Sequence, residues 1–165
     1  MNKKFELVMD QKIEFFGRTL FRVRALVSFA DVEAGEIGGY VENTDNIGVD
    51  GDAWVGGDAW VGGNARVVGN ARVDGNAWVS KNTHYLTMGP IGSRDDTITF
   101  FRTKELHISV KIGCFRGTID EFVLKVKETH AENPHAKAYL LAAEIAKVRI
   151  DLTPEEYTNP SHDPE

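Results

Sequence analysis

The chain has 165 residues, 42% of them hydrophobic, enough for one compact core or two small modules. Nineteen basic against 25 acidic residues give a formal net charge of -6, which disfavours a general nucleic-acid coat and a polybasic membrane binder. A single cysteine, Cys114, permits no internal disulfide, and the longest apolar stretch, Ala138 to Ala143, is far too short to span a bilayer.

The charged start, Met1 to Gln11, leads into no apolar signal segment, so a cytoplasmic protein is expected. Phe21, Val23 and Ala25 alternate with Arg22 and Arg24, and Gly17-Arg18 makes a plausible turn. Residues 3–27 therefore predict a β-hairpin or meander, the heart of an N-terminal cap over 1–30. Ile37, Val41 and Ile47 suggest one degenerate repeat before a regular run.

Self-similarity dominates the middle. In sixes the chain reads VDGDAW, VGGDAW, VGGNAR, VVGNAR, VDGNAW and VSKNTH, beginning at Val49, Val55, Val61, Val67, Val73 and Val79. A strict period of six predicts a parallel β-helix over 31–86, with three hexads to a coil. Alternation then places Val49 and its equivalents inside, together with Ala53, Ala59, Ala65, Ala71 and Ala77. The Gly at each corner, Gly51 to Gly75, is followed by Asp or Asn, residues that tolerate a left-handed backbone.

The run from Gly51 to Val79 resembles the hexapeptide-repeat, left-handed β-helix family familiar from bacterial acyltransferases. The stretches Arg22–Glu42 and Gly89–Thr118, the latter containing GPIGSR and GCFRGT, look more narrowly like small hexapeptide-repeat proteins carried by phages and prophages. That resemblance implies a protein working in the cytoplasm of a bacterial host, and its phage context suggests anti-defence sequestration of a nucleotide-like host signal. It brings no assigned chemistry.

Beyond the repeats, Ile98 and Phe100 and then Ile108, Val110 and Ile112 alternate as two strands around Lys104-Glu105-Leu106. If their apolar residues share a face, opposed residue numbers sum to 210 and the loop has three residues. Thr118 with Glu121 reads as a capping box, followed by a stripe of Ile119, Phe122, Val123, Val126 and His130. Asn133 and Pro134 begin a second helix with the stripe Ala136, Tyr139, Leu140, Ala143, Ala146 and Ile150. The expected architecture is mainly β: a short left-handed parallel β-helix, an N-terminal β cap, a ββαα module over 87–153 and a flexible acidic tail over 154–165.

Two constellations stand out. On the repeats, Trp54, Trp60, Arg66, Arg72 and Trp78 fall at outward positions, and one coil of 18 residues sets Trp60 against Trp78 and Trp54 against Arg72. An exposed tryptophan ladder suits packing within the chain, a subunit interface of Trp60, Trp78, Trp54 and Arg72 around a threefold axis, or a ligand platform; a homotrimer is expected. In the C-terminal module the 210 register, continued, sets Arg94 against Arg116 beside the helix start at Thr118. Ser93, Arg94, Arg116, Gly117 and Thr118 are thus candidate ligands for a small anion, unless Asp95 and Asp96 neutralise the arginines.

Catalytic signals are thin. His84, His107, His130, His135 and His162 show no metal spacing, no residue stands out as catalytic, and no cofactor is implied. The expectation is a non-enzymatic binding protein for a small anionic, nucleotide-like ligand, with no membrane or nucleic-acid partner. The alternatives are an acyltransferase using His84 in a cleft between subunits, and a scaffold or protein-protein inhibitor.

Overall fold

The computed structural model describes residues 2–15, 17–130 and 132–154. The expected acidic tail therefore lies, from residue 155 onward, outside the described residues, as does His162.

The N-terminal alternation folds as read. Strands β1 (Phe5–Phe15) and β2 (Arg18–Ala25) form an antiparallel hairpin, and β2 pairs antiparallel with β3 (Ile37–Val41). Beyond β3 the pairing turns parallel. Two-residue strands β5 (Trp60–Val61) and β7 (Trp78–Val79) complete a sheet of order β1-β2-β3-β5-β7, while β4 (Trp54–Val55) and β6 (Arg72–Val73) form a separate parallel pair.

Within the hexads, side-chain placement follows the period. Ala53, Ala59, Ala65, Ala71 and Ala77 are wholly buried, and Val55, Val61, Val67, Val73 and Val79 lie beside them in one core. The corner glycines Gly51, Gly57, Gly63, Gly69 and Gly75 all take positive φ. Val49 departs from the pattern and is 51% exposed. The cause is a change of ladder offset: Ile47 bridges Val67, 20 residues on, whereas Trp54 pairs with Arg72, 18 residues on. Two residues are therefore extruded between Ile47 and Trp54, and Ile47 takes the inward place expected of Val49.

The expected left-handed parallel β-helix is not what forms. The fold is mixed α/β with several sheets, and among the described residues no closed solenoid exists. Strands of two residues supply few ladder hydrogen bonds, so the repeat run depends on its neighbours. One of its sheets is continued by the antiparallel N-terminal hairpin. On the other side Phe101 of the C-terminal sheet enters the hexad core and Thr103 bridges Ala77.

The expected ββαα module has four strands before its helices. Strands β8 (Tyr85–Ile91), β9 (Asp96–Arg102), β10 (Ile108–Ile112) and β11 (Phe115–Thr118) make an antiparallel sheet of order β11-β10-β9-β8. Pro90 is tolerated because β8 is an edge strand, where a missing N–H breaks no inner ladder. The β9–β10 register is the one expected, with Val110 opposite Phe100. The Thr103 N–H donates to the His107 carbonyl, which leaves Lys104–Leu106 as a three-residue loop.

Helices α1 (Ile119–His130) and α2 (Pro134–Arg149) cover the face carrying Ile98, Phe100, Val110 and Ile112, which form a second core with Phe122, Val126, Tyr139 and Ala143. The Glu121 N–H donates to the Thr118 hydroxyl at 3.1 Å, and the Ala136 N–H to the Asn133 side chain at 2.9 Å, so both caps stand where the sequence puts them. Among the described residues no helix is long and apolar enough to cross a membrane.

Candidate functional site

Arg94 and Arg116 do not meet. The chain reverses at Gly113, whose φ is +51°, and β11 folds back along β10 with Arg116 opposite Lys111. The 210 register therefore cannot be extended past Gly113. Arg116 instead makes a 2.9 Å ion pair with Asp74 of the hexads. Asp95 and Asp96 form no ion pair with either arginine among the described residues, so the internal neutralisation considered for the arginines is supplied, for Arg116, by a different aspartate.

The candidate ligand residues consequently divide between two cavities. Arg116, Gly117 and Thr118 border one of about 440 Å³ on the side of the sheet that faces the hexads, together with Phe101, Glu105 and His107. Its charges are largely spoken for: Arg116 by Asp74, and Glu105 by the Asn76 amide at 2.5 Å. Thr118 also donates to the Glu121 carboxylate at 3.2 Å, which sets a negative charge where an anion would otherwise meet the start of α1. This cavity is a poor anion receptor.

Ser93 and Arg94 border the other cavity, of about 390 Å³, between the strand ends and the two helices. Its floor is aromatic. Phe115 lies 5.7 Å from Phe122, Phe122 lies 5.6 Å edge-on from Tyr139, and Tyr139 lies 5.6 Å from His130, measured between ring centroids. Arg94 in the β8–β9 turn and Lys125 on α1 stand at its rim, both exposed and, among the described residues, both without a side-chain hydrogen bond or ion pair. Asp96, half-buried at the start of β9, is likewise unpaired among those residues.

Tyr139 organises this wall. Burial, then the Asp96 carboxylate, push its phenol up, with Arg94 opposing, so the hydroxyl stays protonated and able to donate at neutral pH. Gly92 is what lets the turn approach it: a Cβ there would fall 1.6 Å from the Tyr139 hydroxyl, and Gly92 sits at φ +79°. The helix residues Lys125, Thr129, His130 and Tyr139 were not among the expected site residues. Their signal was present as helical spacing, since Phe122, Lys125, Val126, Thr129 and His130 recur at threes and fours on one side of α1.

The tryptophans are engaged within the chain. Trp60 pairs with Trp78 across the ladder, as the 18-residue offset requires. Phe15 covers both, at 4.4 and 5.2 Å, while the Lys104 ammonium stands 3.8 Å over Trp60 and the Arg102 guanidinium 5.1 Å over Trp78. Trp54 is not outward as expected. It is 2% exposed, and Phe29, in the segment between β2 and β3, meets it edge-on at 5.5 Å. Arg72 pairs with Asp31 at 2.5 Å.

His84 is a structural residue. It is 1% exposed, and its Nδ1 accepts the backbone N–H groups of Ser80 at 3.1 Å and Lys81 at 3.2 Å. Burial, reinforced by Arg102, lowers its pKa to about 4. Asn46 does the same work in the preceding 3-10 turn, where its side-chain oxygen accepts from Glu42 and Asn43. Among the described residues no group of three or more His, Cys, Asp or Glu side chains could hold a metal ion.

No protein-family model matches the chain, and no curated protein matches it in sequence.

Proposed function

We propose that this chain is a non-catalytic binding protein that holds a small, anionic, nucleotide-like ligand in the 390 Å³ cavity, in the cytoplasm of a bacterial host and in the manner of a phage-borne sequestering protein. The observation that carries this reading is the pairing of an aromatic floor with two uncompensated cations, Arg94 and Lys125. Apolar walls with a few convergent polar groups are how small-molecule sites are built, and the volume falls in their usual range of roughly 300–1,000 Å³. A planar ring fits the floor, and a phosphate fits the rim through charge-assisted hydrogen bonds. The phage context rests on the resemblance of Arg22–Glu42 and Gly89–Thr118.

The transferase alternative is disfavoured by His84, because a buried imidazole whose Nδ1 is occupied by two backbone donors cannot reach an acceptor in a cleft. Calorimetry with nucleoside monophosphates tests the proposal. Arg94→Ala and Lys125→Ala should each weaken binding by about 1.5–3 kcal/mol, the range for hydrogen bonds to charged groups, and Arg116→Ala should not. Equal loss from Arg116→Ala, or no binding by the unaltered chain, would overturn it.

A further inference from the structure

The cavity contains a group that a simple anion receptor would avoid. Asp96 places a negative charge in it, half-buried and, among the described residues, without a hydrogen bond or ion pair to its side chain. Its Oδ2 lies 3.3 Å from where a Cβ on Gly113 would be, so the carboxylate stands over a residue with no side chain to shield or cover it. Leaving a carboxylate partly desolvated and unpaired is unfavourable, and an anionic ligand alone would make it worse. A ligand that presents N–H donors to it would do the reverse.

We infer that the ligand is a guanine-type nucleotide, whose adjacent ring N–H and exocyclic amine are read together by Asp96. This rests on the reading of the cavity as a nucleotide-like site and narrows it. A carboxylate has two oxygens and accepts a pair of parallel N–H donors. Guanine offers such a pair on one edge. Adenine offers one amine flanked by a ring nitrogen acceptor, which would face the second carboxylate oxygen and repel it. The same placement leaves the ring against Phe115, Phe122 and Tyr139, and the phosphate at Arg94 and Lys125.

Calorimetry on the full chain with GMP, IMP and AMP tests this directly. The unaltered protein should bind GMP about 10- to 100-fold more tightly than AMP, the factor for losing one or more hydrogen bonds to a charged group. IMP, which keeps the ring N–H and lacks the amine, should fall between. Asp96→Asn should bring GMP down towards AMP, whereas Arg94→Ala should weaken both alike. Equal affinity of the unaltered chain for GMP and AMP, or a preference that survives in Asp96→Asn, overturns the guanine assignment and leaves the cavity reading standing. Failure to bind any of the three, or inorganic phosphate, overturns both. The comparison of three nucleotides on the unaltered protein needs no variant to fold.

Discussion

Replacing His84 by asparagine separates a charge effect from a packing effect. In the folded chain the imidazole titrates at about 4, against 6.5 ordinarily, chiefly because burial penalises its charged form. A base with a lowered folded-state pKa takes its proton first in the unfolded chain. Stability is therefore unaffected above pH 6.5, falls as the pH drops below it, and levels off below about 4. At 1.36 kcal/mol for each pKa unit, the full loss is about 3 kcal/mol. For a chain of this length that is roughly 6–12 °C in melting temperature, at about 2–4 °C per kcal/mol. Asparagine can accept the Ser80 and Lys81 N–H groups, as Asn46 does in its own turn, and it does not titrate. Thermal melts of both proteins from pH 7.5 to 4 should show a constant offset near neutrality that shifts in favour of His84→Asn as acid is added. Parallel melting curves across that range would refute the reasoning, since every other acid-sensitive group is common to the two.

Three further outcomes follow from packing. Val61→Asp, at a wholly buried position, should lose several kcal/mol by burying an unpaired charge, and Ala65→Leu about 1–3 kcal/mol by overfilling a site that is also wholly buried; unchanged denaturant midpoints would place these side chains outside the core. Gly92→Ala must displace the Tyr139 hydroxyl and adopt a positive φ, so it should weaken nucleotide binding and cost about 1–3 kcal/mol, measurable by calorimetry and urea unfolding. Trp60→Glu together with Trp78→Glu should lower the melting temperature, because Phe15, Lys104 and Arg102 pack on these rings within one chain; light scattering that showed a larger assembly falling apart with the fold intact would assign the rings to a subunit interface instead.

What the sequence disclosed was periodic, and what it concealed depended on reversals. Period six placed five alanines and five valines correctly, and period two set Val110 opposite Phe100, because each pattern repeats often enough for its register to be unambiguous. Single residues ended that power. Gly113 reverses the chain so that Arg116 leaves Arg94 for Asp74. Trp54 stands outward by its period, yet it is buried with Phe29 packed edge-on against it, a contact that no local pattern encodes. Ser93 and Arg94, candidates by sequence, border the 390 Å³ cavity. Lys125, His130 and Tyr139 join them only through the way both helices dock on the sheet.

The extruded pair near Val49 bears on how such a chain can change length. Lys4 reaches across to the carbonyls at both ends of the bulge, donating to Gly48 at 3.1 Å and Ala53 at 2.6 Å, and so holds its margins while its tip projects. Residues can be gained or lost at that tip without disturbing the ladders on either side. Between Trp60 and Trp78 no such slack exists. One added residue there would exchange the inward and outward sets on every later strand, so an odd number of residues cannot be inserted between them. The molecule thus has one stretch where its length can drift and another where it can change only in steps, with a buried lysine marking the border between them.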